Sequence, residues 1–505
     1  MLRSNIAEEI IKKHIEMKKE KIFVLFKEDY LVVARKDKTE KVLYTEKSAK
    51  LFDDTGFVIG YGLTYPQYSV IKYLMEKRAV NIEIGDILNE KVKIDSKIKV
   101  LIFDLKHINS LKDNKERSLA DLCQYYDTKS EIKALQDLFE DSKELIKFQH
   151  TVAGECDIKP KYTSLQGLAK YIVLSKVKID NSKKDPVKFK DIIPLPKFRN
   201  SSIRRALNII YNTLQEEVVR INTFKTQKVK FLKDLTVENI APGYLLNIKT
   251  DKELLPIKWD ITGLNYYSKG IYEGNIISID FNNFYPSLVV NNKLSPRALS
   301  KDDFLKVYIH LDMLNKFSDM LFQGENTKAY FKKMLNSIVG KSLNRECKWH
   351  DEYFWLSITM KGAVLMLELI DLILSFDTKI IHINKDGIIF ICDSEIKTAI
   401  NYFMEKNSHF YKFKQYNKAI IHSLSNTMLI GEEIIKKGVF NDTIEPFSKV
   451  KEKPLAMILS EYYLNGRDIP EIIAEKHLEG EVKNTIFGKE TQYEQEAKKY
   501  IITKE

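Results

Sequence analysis

Short runs of alternating or continuous apolar residues dominate the first 130 positions. The stretch 22-IFVLFKEDYLVVARK-36 reads as two strands, preceded by an amphipathic helix over 5–20. A strand, a loop and a helix are expected in 57-FVIGYGLTYPQYSVIKYLMEK-77, then a strand in 98-IKVLIFDL-105 and a helix in 117-RSLADLCQYY-126. Strands that alternate with helical patterns predict an α/β region. The lysine- and proline-bearing segment 177–198 reads as an irregular connection before a helix at 202–222, and the sequence 241-APGYLL-246 suggests the main domain boundary.

Beyond that point the pattern changes. Strand 275-NIISID-280 runs into 281-FNNFYPS-287, helices are expected at about 301–321, 326–342 and 359–375, and 380-IIHINKDGIIFI-391 carries Asp-Gly between two apolar β-branched runs. Asp-Gly in that setting is a strong short-range hairpin signal. No repeat, low-complexity tract or uncharged apolar run of membrane length is present, because 362-GAVLMLELIDLIL-374 is broken by Glu368 and Asp371.

Composition narrows the function classes. Hydrophobic residues make up 44% and charged residues 30% of the 505, as in ordinary globular chains, which excludes a fibre or a disordered chain. The four cysteines (123, 156, 347 and 392) form no C-x-x-C pair, which excludes a disulfide scaffold and a zinc ribbon and suits a reducing cytosol. The charged N-terminus lacks an apolar signal core, so a cytoplasmic location is expected. Lys+Arg 81 against Asp+Glu 70 gives a net charge of +11, which suits a polyanionic partner but also describes a lysine-rich solvated surface.

Three segments carry candidate chemistry. Asp280 ends an apolar strand, Asp386 sits in the hairpin turn, and Lys328, Lys332 and Asn336 in 328-KAYFKKMLNSIVGK-341 are spaced by four. Each step of four rotates about 40° around a helix, so these three share one face. Two carboxylates from separate strands can hold hard divalent cations, and a lysine-lined helix can neutralise a triphosphate; together they suit phosphoryl transfer. Taken singly, each segment reads more simply as a strand-end cap, a solvated helix face and a plain hairpin turn.

In order and wording, 280-DFNNFYPS-287, then K-x-x-x-N-S-x-x-G, then the N-x-D-G hairpin resemble motifs A, B and C of the family B DNA polymerases, most closely the compact phage and viral members. Upstream, 269-KGIYEG-274 resembles the glycine-containing segment between the exonuclease and polymerase domains. Downstream, 425-SNTMLIGEEIIKKGVF-440 resembles the lysine-glycine segment that grips the primer, with a thumb-like pattern to residue 504. The resemblance covers about 245–505 well and the N-terminal half weakly.

The resemblance implies an α/β exonuclease-like (RNase H-like) domain at 1–245, palm at 246–297 and 344–432, fingers at 298–343, and thumb at 433–505. Asp280 and Asp386, with the backbone at Phe281, would hold two magnesium ions, with manganese as a substitute. Lys332, Lys328 and Asn336, with Asn283 and Phe284, would bind the incoming deoxynucleoside triphosphate. Tyr285 matches the steric gate against a 2′-hydroxyl. Gly270, Lys436, Lys437 and Gly438 would touch primer-template DNA, and a replication accessory protein is a further expected partner. If the source is a phage or virus, the location is the host cytoplasm, associated with the nucleoid.

Departures from the family pattern modify these expectations. Asn384 stands at the first acidic position of motif C, and Val339 replaces the tyrosine before the motif B glycine. Only 51 residues separate Asp280 from Lys332 and 53 separate Lys332 from Asp386, which leaves little room for insertions and disfavours a terminal-protein primer. In the exonuclease motifs, Leu25, Lys27, Gly62, Pro66 and Gln215 (beside Tyr211) stand where ligands or their partners are required, so absence of proofreading is expected. The alternative register 103-FDLKH-107 offers Asp104 followed by Lys106. A primer-independent polymerase or primase on the same palm, and a non-catalytic nucleic-acid-binding relic, are the competing readings.

Overall fold

In this computed structural model the described residues comprise five strand backbones between 20 and 104 and most of the chain from 128 to 478, without 129, 159–163, 181, 183–184, 229–235, 241, 319–325 and 442–452; residues 497 and 499 are also described. Residues 1–176 and 314–334 form one compact unit, and residues 177–313 and 335–505 form a second.

The first unit holds a five-stranded mixed sheet: β1 (Glu20–Phe26), β2 (Tyr30–Arg35), β3 (Lys38–Leu43), β4 (Thr55–Gly60) and β5 (Leu101–Asp104). Their order is β3-β2-β1-β4-β5, with β1 antiparallel to β2, β2 antiparallel to β3, and β1, β4 and β5 parallel. The strands expected at 22–36, 57 and 98–105 are present. All but the last residue of the helix expected at 5–20, the loop and helix expected after the strand in 57–77, and the helix expected at 117–126 lie outside the described residues, as do Lys27, Gly62, Pro66 and Lys106. Helix α1 (Glu131–Glu155), capped by Ser130 accepting from the Lys133 amide, packs on β1, and α2 (Leu165–Lys176) packs on α1.

The second unit opens with the irregular segment expected at 177–198, followed by α3 (Ser201–Leu214). The helix expected to run to 222 stops at Leu214. Its continuation pairs instead with the preceding segment, through Phe189 donating to the Glu217 carbonyl and Val219 donating to the Val187 carbonyl, before a short α4 (Ile221–Thr226). Tertiary pairing overrides helix propensity there. Tyr211 and Gln215, the candidate third exonuclease motif, sit on the last turn and C-cap of α3, within this second unit.

A ten-stranded antiparallel sheet forms the rest of the frame. Its strands are β6 (Val237–Ile240), β7 (Gly243–Lys249), β8 (Leu254–Asp260), β9 (Gly263–Tyr267), β10 (Gly270–Phe281), β11 (Thr378–Asn384), β12 (Gly387–Cys392), β13 (Tyr411–Ile421), β14 (Thr427–Ile430) and β15 (Ile434–Lys437). The spatial order is β15-β14-β13-β10-β12-β11-β9-β8-β7-β6. The boundary expected at 241–246 falls inside the β6–β7 hairpin, whose residues belong to this sheet; cross-strand pairing joins what a local Ala-Pro-Gly run seemed to separate.

Between the sheet strands come α5 (Phe284–Asn291), α6 (Lys301–Lys316), α7 (Thr327–Lys341) and α8 (Glu352–Ile373). Helix α8 is buried along nearly its whole length, and it begins at Glu352, ahead of the expected 359, because Asp351 caps it. The Asp351 carboxylate accepts from the Tyr353 amide and also from the Arg297 amide and guanidinium, so a nearly buried acid (3% exposed) is fully partnered. At the far end Asp371 accepts from the Arg199 and Asn200 amides at 2.8 and 2.7 Å, tying α8 to the start of α3. Helices α9 (Lys397–Lys406), α10 (Lys453–Asn465) and α11 (Ile469–Leu478) complete the described elements. Leu455, Ile458, Leu459 and Ile472 pack with Ile420, Met428 and Phe440, joining α10 and α11 to β13 and β14.

Candidate active site

The site is built where β10 leaves the sheet. Ile277 and Ile279 are buried in the core while Asp280, at the strand's end, is half-buried. The neighbouring strand β12 starts at Gly387, directly opposite Asp280 in the antiparallel register. Asp386 therefore comes beside Asp280 although more than a hundred residues intervene, and its carbonyl accepts the Phe281 amide at 2.9 Å.

The contact between the two segments is close. A Cβ at Gly387 would lie 2.5 Å from the Asp280 Oδ1, so the Asp280 carboxylate lies over this glycine and leans toward the hairpin. A side chain at the glycine of the Asp-Gly turn would have to displace the carboxylate beside it. Both carboxylate-bearing loops also hold a residue in the left-handed region: Lys385 at φ 53° in the hairpin turn, and Asn283 at φ 49° just after Asp280. Such residues are uncommon outside glycine and concentrate at functional sites.

Asn283 ends the loop and α5 follows, with the amides of Phe284 and Tyr285 in its first turn. The Tyr285 hydroxyl donates to the Thr262 carbonyl, and its ring lies 5.6 Å from Phe284 and 6.3 Å from Trp355. Burial, helped by the charges of Asp386 and Asp260, pushes the Tyr285 phenol well above its ordinary range, so it stays protonated. On the inner side Phe281 and Phe284 pack at 5.4 and 6.0 Å against the His409 ring, which burial pulls down to about 4.

A third turn, between β8 and β9, was not singled out from the sequence. Asp260 accepts from the Thr262 amide and hydroxyl at 2.7 and 2.6 Å, closing Asp260-Ile261-Thr262-Gly263 with Gly263 at φ +125°. This turn reaches the other two: the Lys385 amide donates to the Leu264 carbonyl at 2.8 Å, Asn384 pairs with Asn265, and Trp355 Nε1 donates to the Ile261 carbonyl at 3.0 Å. The local signal was a D-x-T-G turn between two strand-like runs.

The remaining expected residues fall as follows. Lys328, Lys332 and Asn336 lie on α7, all exposed at steps of four, while Phe331, Met334, Leu335, Ile338 and Val339 are buried. One exposed face is as expected. Val339 is only 1% exposed and belongs to the apolar face, so it is not displayed with the polar residues. Lys328 and Lys332 belong to the first compact unit, and Asn336, with both aspartates, to the second. Gly270 begins β10, and a Cβ there would lie 2.9 Å from the ring and hydroxyl of Tyr272, which folds back over it. Lys436 and Lys437 lie on edge strand β15, and Gly438 follows at φ +65°, where a side chain would meet the Asn426 side-chain amide and the Ser425 backbone carbonyl. His382, two residues before Asn384, is buried with its Nε2 2.9 Å from the Leu424 carbonyl oxygen, and feels the charges of both Asp280 and Lys437.

Among the described residues no group of three or more His, Cys, Asp or Glu side chains converges as a metal site. Two carboxylates with adjacent backbone carbonyls are nevertheless the hard-oxygen set that magnesium uses when substrate phosphates and waters complete its shell. The donor chemistry therefore fits magnesium. Also among the described residues, no helix is long and apolar enough to cross a membrane.

No family model matches the chain, and no curated protein matches it. Among solved structures it is similar to the family B DNA polymerase from the hyperthermophilic archaeon Pyrobaculum calidifontis, with a TM-score of 0.39 and 11% identity over 89% of this chain. The chain spans 66% of the length of that polymerase.

Proposed function

We propose that this protein is a DNA-templated DNA polymerase of the compact phage or viral type, extending a primer 3′-end with deoxynucleoside triphosphates. The observation that carries the reading is the Asp280 carboxylate lying over Gly387 beside Asp386, at the ends of two adjacent central strands of an antiparallel sheet. In this reading strands β8 to β14 of the ten-stranded sheet belong to the palm, α7 to the fingers, and β15, α10 and α11 to the thumb.

Asp280 and Asp386, with the Phe281 carbonyl, hold magnesium, which when bound acidifies the primer 3′-hydroxyl and neutralises charge on the phosphates. Lys332 and Lys328 bind the triphosphate as point charges, and the first-turn amides of α5 offer it hydrogen bonds. Protonated Tyr285, fixed through Thr262, presents its ring against a 2′-hydroxyl. Lys436 and Lys437 follow the duplex backbone. The N-terminal sheet, three antiparallel strands followed by two parallel ones, is compatible with an exonuclease-like domain. That domain is proposed to be inactive on the substitutions at Leu25, Lys27, Gly62 and Pro66.

The test is magnesium-dependent incorporation on a primer-template. Wild-type protein should extend the primer, and Asp280→Ala and Asp386→Ala should abolish extension while duplex binding survives. Wild-type-like extension by either variant overturns the assignment. Without nucleotides, a mismatched 3′-labelled primer should stay intact, and steady shortening would refute the loss of proofreading.

A further inference from the structure

Asp280 has two cross-strand neighbours. On one side is Gly387 of the hairpin, and on the other, directly opposite in the β10–β13 register, is Lys412. Residues directly opposite in an antiparallel sheet share a face, with Cα atoms about 4.5–5.5 Å apart. Lys412 therefore flanks Asp280 on the face that carries the carboxylate, while the carboxylate leans the other way, over Gly387.

The cations nearby on the same strand are engaged. Lys414 pairs with Glu433, and Lys418 with Glu273 at 3.5 Å. Lys412 is exposed, and its side chain makes no hydrogen bond or ion pair with any described residue. It also lies next to the loop that follows Asp280, since the Asn282 amide donates at 2.8 Å to the carbonyl of Phe410, two residues before Lys412 and just ahead of β13. An uncommitted ammonium on a flexible stem, beside a carboxylate pair, is placed to receive an anion rather than to brace the fold.

On the polymerase reading, on which this rests, we infer that Lys412 is a phosphate-binding residue of the reaction centre. Two phosphates approach this point: the terminal phosphodiester of the primer and the triphosphate of the incoming nucleotide. The chemistry is the same, one ammonium against a phosphate oxygen.

The experiment compares wild type, Lys412→Ala, Lys412→Arg and Lys397→Ala. Lys397 stacks on Phe413, which alternates with Lys412 and so faces the other way; its removal controls for the loss of one positive charge. Binding of a labelled primer-template and of a deoxynucleoside triphosphate is measured with calcium, without turnover, and then steady-state extension is measured. Lys412→Ala should weaken one of the two bindings about tenfold, with Lys412→Arg retaining most of it and Lys397→Ala leaving both unchanged. A loss in the primer-template arm, with the salt slope reduced by about 1, assigns the strand phosphate. A loss in the nucleotide arm, with raised KM, assigns the triphosphate. Both affinities unchanged in Lys412→Ala, or lowered equally in Lys397→Ala, overturns the inference. Failure of wild-type protein to extend any primer would defeat the polymerase reading alone, because the binding arms judge Lys412 without turnover.

Discussion

The Asp280 Oδ1 occupies the space that a Cβ on Gly387 would need, 2.5 Å away. One atom of side chain at position 387 would therefore move a carboxylate at the reaction centre. Gly387→Ala should fold, since the strand continues through Ile388, but should lose incorporation by about a hundredfold, the scale of a 1 Å misplacement. Thermal melting and steady-state extension check it; near-normal activity would show that the carboxylate position does not matter.

Asn384 and Asp386 bracket one turn but differ in their neighbours. Asp386 lies beside Asp280 through the Phe281 amide, whereas Asn384 pairs with Asn265 and Gly387. Asn384→Ala should cost less than about tenfold in kcat, against complete loss in Asp386→Ala. Equal losses would reassign the metal-binding position of the hairpin.

Tyr285 separates shape from hydrogen bonding. Tyr285→Phe keeps the ring and loses the donation to Thr262, which should lower stability by about 1 kcal/mol and leave sugar selection nearly intact. Tyr285→Val removes the ring and should admit ribonucleotides. Single-nucleotide incorporation with paired ribo- and deoxynucleotides measures both, and unchanged selectivity in Tyr285→Val would reject the gate.

His409 predicts an acid sensitivity. Unfolded, its imidazole takes up a proton near pH 6.5, but in the folded protein burial delays this to about 4. Below pH 6.5 the unfolded state thus binds more protons, and stability falls as pH drops toward 4, by about 1.4 kcal/mol per pH unit at most. Above 6.5 the contribution is flat. His409→Gln should reduce the loss of denaturation midpoint between pH 7 and 5, and an identical loss in the variant would refute the assignment.

Position along the chain was enough to read the strand ending at Asp280, the hairpin around Asp386, the shared face of Lys328, Lys332 and Asn336, and the irregular 177–198, because each depends on local periodicity or turn chemistry. Other features needed the folded chain. The end of α3 at Leu214 follows from pairing with residues 187–189, and the continuity of β6 and β7 across Ala-Pro-Gly from cross-strand bonding. Burial of Val339 follows from which side of α7 meets the core. Sequence also named Asp280 and Asp386 without their geometry. The register that sets Asp280 between Gly387 and Lys412, and the turn at Asp260–Gly263 that holds Tyr285, join segments between 20 and more than 100 residues apart, and no local pattern encodes such pairings. They are fixed only when ten strands bury their apolar faces together, since a one-residue slip would turn every side chain to the wrong side.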